Sequence, residues 1–250
     1  MTLELKHINF SFSPEKQILK DLSLSLEERM IYALMGSNGA GKTTLFNILS
    51  GFIKPQRGEI YFGEKNLTNQ QPYKINRQGI GRTFQDLRLI TKLSVRENII
   101  LAMKNNPTDN IFKAMLNFKG TVFDELVYDE RTPDKIAEKY FLSDVINSPA
   151  SEISYGQQKL LSLACCVANG ASLLLLDEAV AGIQPEYRNK IAILIKQLKE
   201  QGKTILLIEH NTDFIADVSD RIFFLHDGEI STFENMEKLR KDKQVMEAYL

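Results

Sequence analysis

The residues Gly36-Ser37-Asn38-Gly39-Ala40-Gly41-Lys42-Thr43 fit the pattern G-x-x-x-x-G-K-[ST]. That pattern works only between a strand that ends at its first glycine and a helix that starts at its lysine. The flanks supply both. Residues 30–35 form a short apolar run that predicts a strand, and residues 42–49 predict a helix closed by Gly51. Gly36, Gly39 and Gly41 let the backbone approach a phosphate without a Cβ in the way. The backbone N–H groups of the loop, from Gly36 through Ser37, Asn38, Gly39, Ala40 and Gly41, form the cradle. The helix starting near Lys42 points its positive end at the same phosphates. Lys42 reaches the terminal phosphates, Thr43 is assigned to magnesium and Thr44 to the α-phosphate. With this chain's residue usage a chance match is below about 1%.

A second chemical signal lies at Leu173-Leu174-Leu175-Leu176-Asp177-Glu178. A continuous apolar run of this kind reads as a strand buried on both faces. An Asp at the end of such a strand, beside a phosphate loop, is placed to hold magnesium directly or through water. Glu178 is one carboxylate more than metal binding needs.

The rest of the chain frames these two stretches. Leu3, Leu5, Ile8, Phe10 and Phe12 alternate with mostly polar residues and predict an edge strand or hairpin; residues 18–26 continue the alternation. Residues 58–62 and 79–84 each predict a further strand. From about residue 87 to 168 the texture turns helical, with runs at 95–103, 111–118 and 133–140 punctuated by Asn105-Asn106-Pro107 and Ser148-Pro149. Ile191, Leu194, Ile195 and Leu198 follow helical spacing between Pro185 and Gly202. Residues 204–208 predict another buried strand, leading into Glu209-His210, and the charged tail from 233 to 250 predicts helix. Alternating strands and helices imply a largely parallel sheet.

Composition narrows the function classes. The 31 basic and 32 acidic residues leave a net charge of −1, so no overall field favours nucleic acid or an anionic membrane. The two cysteines, Cys165 and Cys166, are adjacent in an apolar helical stretch, which fits neither a disulfide framework nor a metal site and suggests a reducing compartment. The N-terminus lacks the layout of a signal peptide. The most apolar window, 160–176, is broken by Asn169-Gly170 and falls short of the roughly 20 residues a membrane helix needs. The chain is therefore expected to be soluble by itself, and any transport role requires a separate membrane partner.

Taken in order, the phosphate loop, Ile153-Ser154-Tyr155-Gly156-Gln157-Gln158-Lys159 and Asp177-Glu178 resemble the ATPase subunits of ABC transporters. The resemblance covers nearly the whole chain. It implies an α/β fold: a phosphate-loop ATPase core with a mainly parallel sheet, an antiparallel β subdomain and an inserted α-helical subdomain. The chain is then a single ABC ATPase domain, with residues 1–86 and 169–250 as core and 87–168 as helical subdomain. It also assigns roles. Glu178 becomes the base or orienter of the attacking water, Gln85 a contact to magnesium and that water, and His210 a contact to the γ-phosphate. Phe12 stands where the family stacks an aromatic ring on adenine, although an ordinary core phenylalanine in an alternating strand reads the same way. Ser154, Gly156 and Gln157 form a second phosphate-binding surface facing the ATP of an opposite subunit, so a monomer should be a poor ATPase. His7 and His226 match no motif.

Gly81-Arg82-Thr83-Phe84-Gln85-Asp86-Leu87-Arg88-Leu89, the Ser-Tyr-Gly-Gln-Gln form of the signature, Ile208-Glu209-His210 and Glu247-Ala248-Tyr249-Leu250 look like branched-chain amino acid importer ATPases. Urea-type importers and the lipopolysaccharide-export ATPase are similar, and a soluble ABC-type ATPase, as in cluster assembly, is the rival class. The resemblance implies ATP and Mg2+, integral-membrane permease subunits, a second ATPase subunit (identical or related), no nucleic acid, and a cytoplasmic position on the inner face of the cell membrane. Three departures stand out: Ala179 where proline is usual, Gln184 where Asp or Asn commonly ends the following loop, and Cys165 where arginine is usual. They leave Lys42, Asp177, Glu178, Gln85 and His210 intact and point to atypical communication between subunits.

Overall fold

The computed structural model describes residues 3–103 and 132–249. In chain order the elements begin with β1 (Leu3–Ser13), β2 (Lys16–Leu26), β3 (Ile31–Met35) and α1 (Lys42–Leu49). There follow β4 (Arg57–Phe62), β5 (Lys65–Asn66), α2 (Pro72–Arg77), β6 (Ile80–Arg82), α3 (Val95–Ala102), α4 (Pro133–Lys139) and α5 (Tyr155–Ala168). The remainder is β7 (Leu173–Asp177), α6 (Pro185–Glu200), β8 (Thr204–Ile208), α7 (Thr212–Val218), β9 (Arg221–His226), β10 (Glu229–Phe233), α8 (Met236–Lys241) and α9 (Lys243–Tyr249). The helix expected at 111–118 lies outside the described residues.

Contacts group the chain into two units. The first comprises Met1–Gln85, Ala171–Gly182 and Ile191–Leu250; the second comprises Asp86–Gly170 and Ile183–Lys190. Compared with a division at 87–168, the second unit adds Asp86, residues 169–170 and residues 183–190, the last of which include the start of α6.

The first unit holds two sheets. One is antiparallel, in the order β2-β1-β4-β5; the other runs β10-β9-β3-β8-β7-β6. In the second sheet every neighbour from β9 to β6 is parallel, and β10 alone pairs antiparallel, on β9. Burial follows this plan. β3, β7 and β8 are buried at every residue, as parallel strands covered on both faces must be. β1 and β2 bury alternate residues. Their inward leucines, with Ile8, Ile60 and Phe62, close on Leu45, Phe46, Ile48 and Leu49 of α1 in one apolar core. The phosphate-loop helix is thus seated by its apolar residues, leaving its start to the loop.

In the second unit α3 and α5 each begin with a capping box, Ser94 with Glu97 and Ser154 with Gln157, in which two backbone N–H groups are satisfied reciprocally. Buried Asn98 accepts the Ile90 N–H and donates to the carbonyls of Ile90, Leu93 and Ser94, which pins the turn before α3. Arg96 joins α3 to α4 through both oxygens of Asp134, and this pairing holds the Asp134 carboxyl below its usual range.

Two local expectations change. The strand expected at 79–84 is only three residues long; beyond it the Thr83 N–H still donates to the Leu175 carbonyl, and Thr83 Oγ1 accepts the Asp177 N–H. The tail does not begin as helix at 233: Phe233 ends β10, Asn235 caps α8, and Asp242 breaks the tail into two helices.

Candidate nucleotide-binding and hydrolysis site

β3 delivers the phosphate loop from the middle of the six-stranded sheet. Gly36 has φ 149, and a Cβ built there would lie 2.3 Å from the Leu225 carbonyl oxygen on β9, so no other residue fits. α1 then starts with no side-chain cap and no acidic residue in its first turn. Helix N-termini normally satisfy their first N–H groups with such a cap; here the loop does not supply one. Lys42 is buried, and its ammonium donates to the carbonyls of Gly36 at 2.7 Å and Ser37 at 2.9 Å. Burial pushes its pKa down, opposed by the charges of Glu178 and Asp177.

A cleft of about 420 Å³ opens over this loop and gathers Phe12, Asn38, Gly39, Gly41, Lys42, Thr43, Thr44, Glu178 and His210. Phe12 is 69% exposed and meets Phe10 edge-on at 4.8 Å. It is not a core residue. Gln85 and Asp177 do not line the cleft; Gln85 is hydrogen-bonded to Glu178, which does, and Asp177 precedes Glu178 in the chain.

Asp177 ends β7 beside Ile208. Its N–H donates to Thr83 Oγ1 at 3.1 Å, and its Oδ2 accepts from Arg82 Nη2 at 3.1 Å, with side chains only 5% and 6% exposed. Arg82 also donates to Asn47 Oδ1 and Ser50 Oγ on and just after α1, and its guanidinium lies 4.8 Å from the Phe84 ring centroid. Removing one partner of such a buried pair typically costs about 3–5 kcal/mol. Arg82 has no role in the sequence reading. The available signal was an arginine ending a buried strand, which demands a partner.

Glu178 follows in the left-handed region, φ 50, a conformation that costs a residue with a Cβ and persists only where neighbours enforce it. Its N–H donates to the Ile208 carbonyl at 3.0 Å. Gln85 Nε2 donates to its Oε2 at 3.0 Å, and His210 Nε2 lies 3.7 Å from its Oε1. Sequence-distant Gln85, Glu178 and His210 therefore converge on one carboxylate. Thr43, Gln85 and Asp177 offer hydroxyl, amide and carboxylate oxygens. That oxygen set suits magnesium, which takes one or two carboxylates together with nucleotide oxygens.

In the second unit, Ser154 Oγ accepts the Gln157 N–H at 3.3 Å and donates to Tyr187 Oη at 3.2 Å, while Gln157 Oε1 accepts the Ser154 N–H. A Cβ on Gly156 would lie 2.4 Å from the Tyr187 ring. Tyr187 is the second functional neighbour that pattern reading misses, because only the fold brings it to the signature turn. Burial pushes both Cys165 and Cys166 up to about 12, so these thiols are inert.

Residues 19–181 match the ABC transporter family. The chain belongs to that family. It is 36% identical over 236 residues to the high-affinity branched-chain amino acid transport ATP-binding protein of Salmonella typhimurium, covering 93% of this chain and 91% of that one. Among solved structures it resembles a nucleotide-free ATP-binding cassette from an ABC transporter, with TM-score 0.84 and 29% identity over 100% of this chain and 99% of the other. An ATP-binding cassette of an ABC transporter in its ADP conformation matches with TM-score 0.82 and 27% identity, over 100% and 98%. The fold is thus that of an ABC ATPase cassette, with the phosphate-loop α/β core expected from the sequence. Among the described residues, no helix is long and apolar enough to cross a membrane.

Proposed function

We propose that this ABC ATPase is the energy-coupling subunit of a branched-chain amino acid-type importer, working with a separate membrane permease. The observation that carries the catalytic part is the Glu178 carboxylate, held by Gln85 and flanked by His210 at the rim of a cleft floored by the phosphate loop. In this reading Phe12 offers its exposed ring to adenine, and the loop amides and Lys42 take the phosphates. Thr44 adds the α-phosphate contact. Magnesium would be held by Thr43, Gln85 and Asp177, where it would supply positive charge against the negative charge building on the phosphates. Glu178 accepts a proton from the attacking water as the water oxygen bonds to the γ-phosphorus and the bond to the β-phosphate oxygen breaks. His210 donates a hydrogen bond to a γ-phosphate oxygen.

Ser154, Gly156 and Gln157 would face the ATP of a second ATPase subunit, identical or related, so that two nucleotides are sandwiched. The importer part rests on the similarity to the Salmonella relative. It implies permease subunits and a place on the inner face of the cell membrane.

Glu178→Gln should bind ATP normally and lose turnover by roughly 10²–10⁴-fold, the usual worth of a positioned base; hydrolysis at the wild-type rate sinks the assignment. The transport reading is checked by capture of the tagged chain from detergent-solubilised membranes of its host. A co-purifying multi-span permease supports it. Recovery of soluble partners alone, where a control membrane complex survives, overturns it.

A further inference from the structure

Three consecutive residues at and just beyond the end of β8 meet the stretch that carries the hydrolytic carboxylate. The Ile208 carbonyl accepts the Glu178 N–H at 3.0 Å. Glu209 Oε1 accepts the Val180 N–H at 2.8 Å. His210 Nε2 lies 3.7 Å from Glu178 Oε1. The first and third of these have roles above; the second has none, although it is a carboxylate only 3% exposed.

A carboxylate withdrawn from water is costly unless strong donors replace its hydration. A backbone N–H aimed at a charged oxygen is among the stronger hydrogen bonds. The segment it grips needs gripping. Glu178 sits at φ 50, and the residue after it is alanine, which has no ring to fix the backbone of the turn. The turn's own closure, Ala181 N–H to the Glu178 carbonyl, is long at 3.4 Å. Restraint comes instead from the end of β8 and the residue after it, through the Ile208 carbonyl and the Glu209 carboxylate, whose partners lie on either side of Ala179.

We propose that Glu209 is a positioning residue for hydrolysis. Its buried carboxylate fixes the turn after Glu178 through the Val180 amide and so holds the Glu178 carboxylate between Gln85 and His210. The inference rests on the reading of Glu178 as the group that orients and deprotonates water. What the clamp needs is an acceptor oxygen at the right reach. Negative charge is secondary. Glu209→Gln keeps the reach and an acceptor; Glu209→Asp keeps the charge and withdraws the oxygen by one methylene.

The test compares the full-length wild-type chain with Glu209→Gln, Glu209→Asp and Glu178→Gln. Two readouts are taken: hydrogen–deuterium exchange of peptides spanning 178–184, and steady-state ATP hydrolysis with magnesium. Glu209→Asp should exchange the Val180 amide about tenfold faster, the loss expected of one hydrogen bond. Its kcat should fall at least about tenfold while KM for ATP stays within about twofold, because the phosphate loop is untouched. Glu209→Gln should remain within about threefold of wild type in every readout.

The proposal is overturned if Glu209→Asp keeps wild-type protection and kcat, or if Glu209→Gln loses as much as Glu209→Asp. A KM rise that matches the kcat loss overturns it as well. Exchange reads the clamp independently of turnover. If Glu178→Gln hydrolyses at the wild-type rate, the base reading has failed and takes the catalytic consequence with it. If Glu178→Gln is dead while Glu209→Asp is normal, the clamp alone has failed.

Discussion

The two helix starts that the sequence marks for phosphate, at Lys42 and at Tyr155, are built in opposite ways. α1 has no side-chain cap and no acid in its first turn, and its lysine turns back onto its own loop carbonyls. α5 is closed by a full capping box, with the Ser154 hydroxyl engaged by both Gln157 and Tyr187. The first site is held open by buried strands and demands a ligand to complete it. The second is complete in itself, so a phosphate has to displace or share bonds that already exist. This is the behaviour expected of a surface that engages nucleotide only when an opposite subunit brings it. Under the function proposed above, the phosphate loop binds first and the signature follows.

Substitutions at three positions, one of them combined with Tyr187→Ala, test that contrast. The largest effect belongs to Lys42→Ala, which should weaken ATP binding to the isolated chain by roughly 10- to 100-fold, the worth of a charged hydrogen-bond donor. Equilibrium titration with a fluorescent ATP analogue reads it, and unchanged affinity would undo the loop assignment. Next comes Gly156→Ala. Its methyl would meet the Tyr187 ring, and crowding of that kind costs about 1–3 kcal/mol. Denaturant unfolding should register the loss, and adding Tyr187→Ala should recover part of it; no recovery would mean that Tyr187 does not crowd Gly156. Smallest is Ser154→Ala, expected to cost about 1 kcal/mol of stability as a lost helix cap, with ATP affinity of the isolated chain unchanged. If it weakens nucleotide binding to a monomer as much as Lys42→Ala does, the contrast between the two starts collapses.

The parts of this molecule set by local pattern were legible in the sequence. A strand-loop-helix around Gly36–Thr43 follows from glycine spacing between two apolar runs, and β7 and β8 from uninterrupted burial. Phe12 was not decidable, because it shares the alternation of Phe10. Only the structure places Phe10 in the core and Phe12 on the rim of the cleft. Residues 211–232 carry no element in the sequence reading, yet the signals were present. Asn211 caps α7 through the Phe214 N–H. Asp227-Gly228, with φ 47 and 82, forms the two-residue turn between β9 and β10, the turn that this dipeptide favours. Arg82, Tyr187 and Glu209 were illegible for another reason. Each matters through a partner at least 29 residues away in sequence, Asp177, Ser154 and Val180 in turn, and no spacing rule reaches across a fold.

The central place of β3 has a consequence for how the chain acquires its activity. Its neighbours in the sheet are β8 and β9, and Gly36 is shaped against the carbonyl of Leu225. The phosphate loop leaves the ribosome well before β8 and β9, the strands that mould it. Contacts of such long range form slowly, and a nascent or truncated chain ending before β9 carries a phosphate loop in sequence and none in shape. The shape that nucleotide binding needs is therefore acquired only once β9 has been made and has docked beside β3.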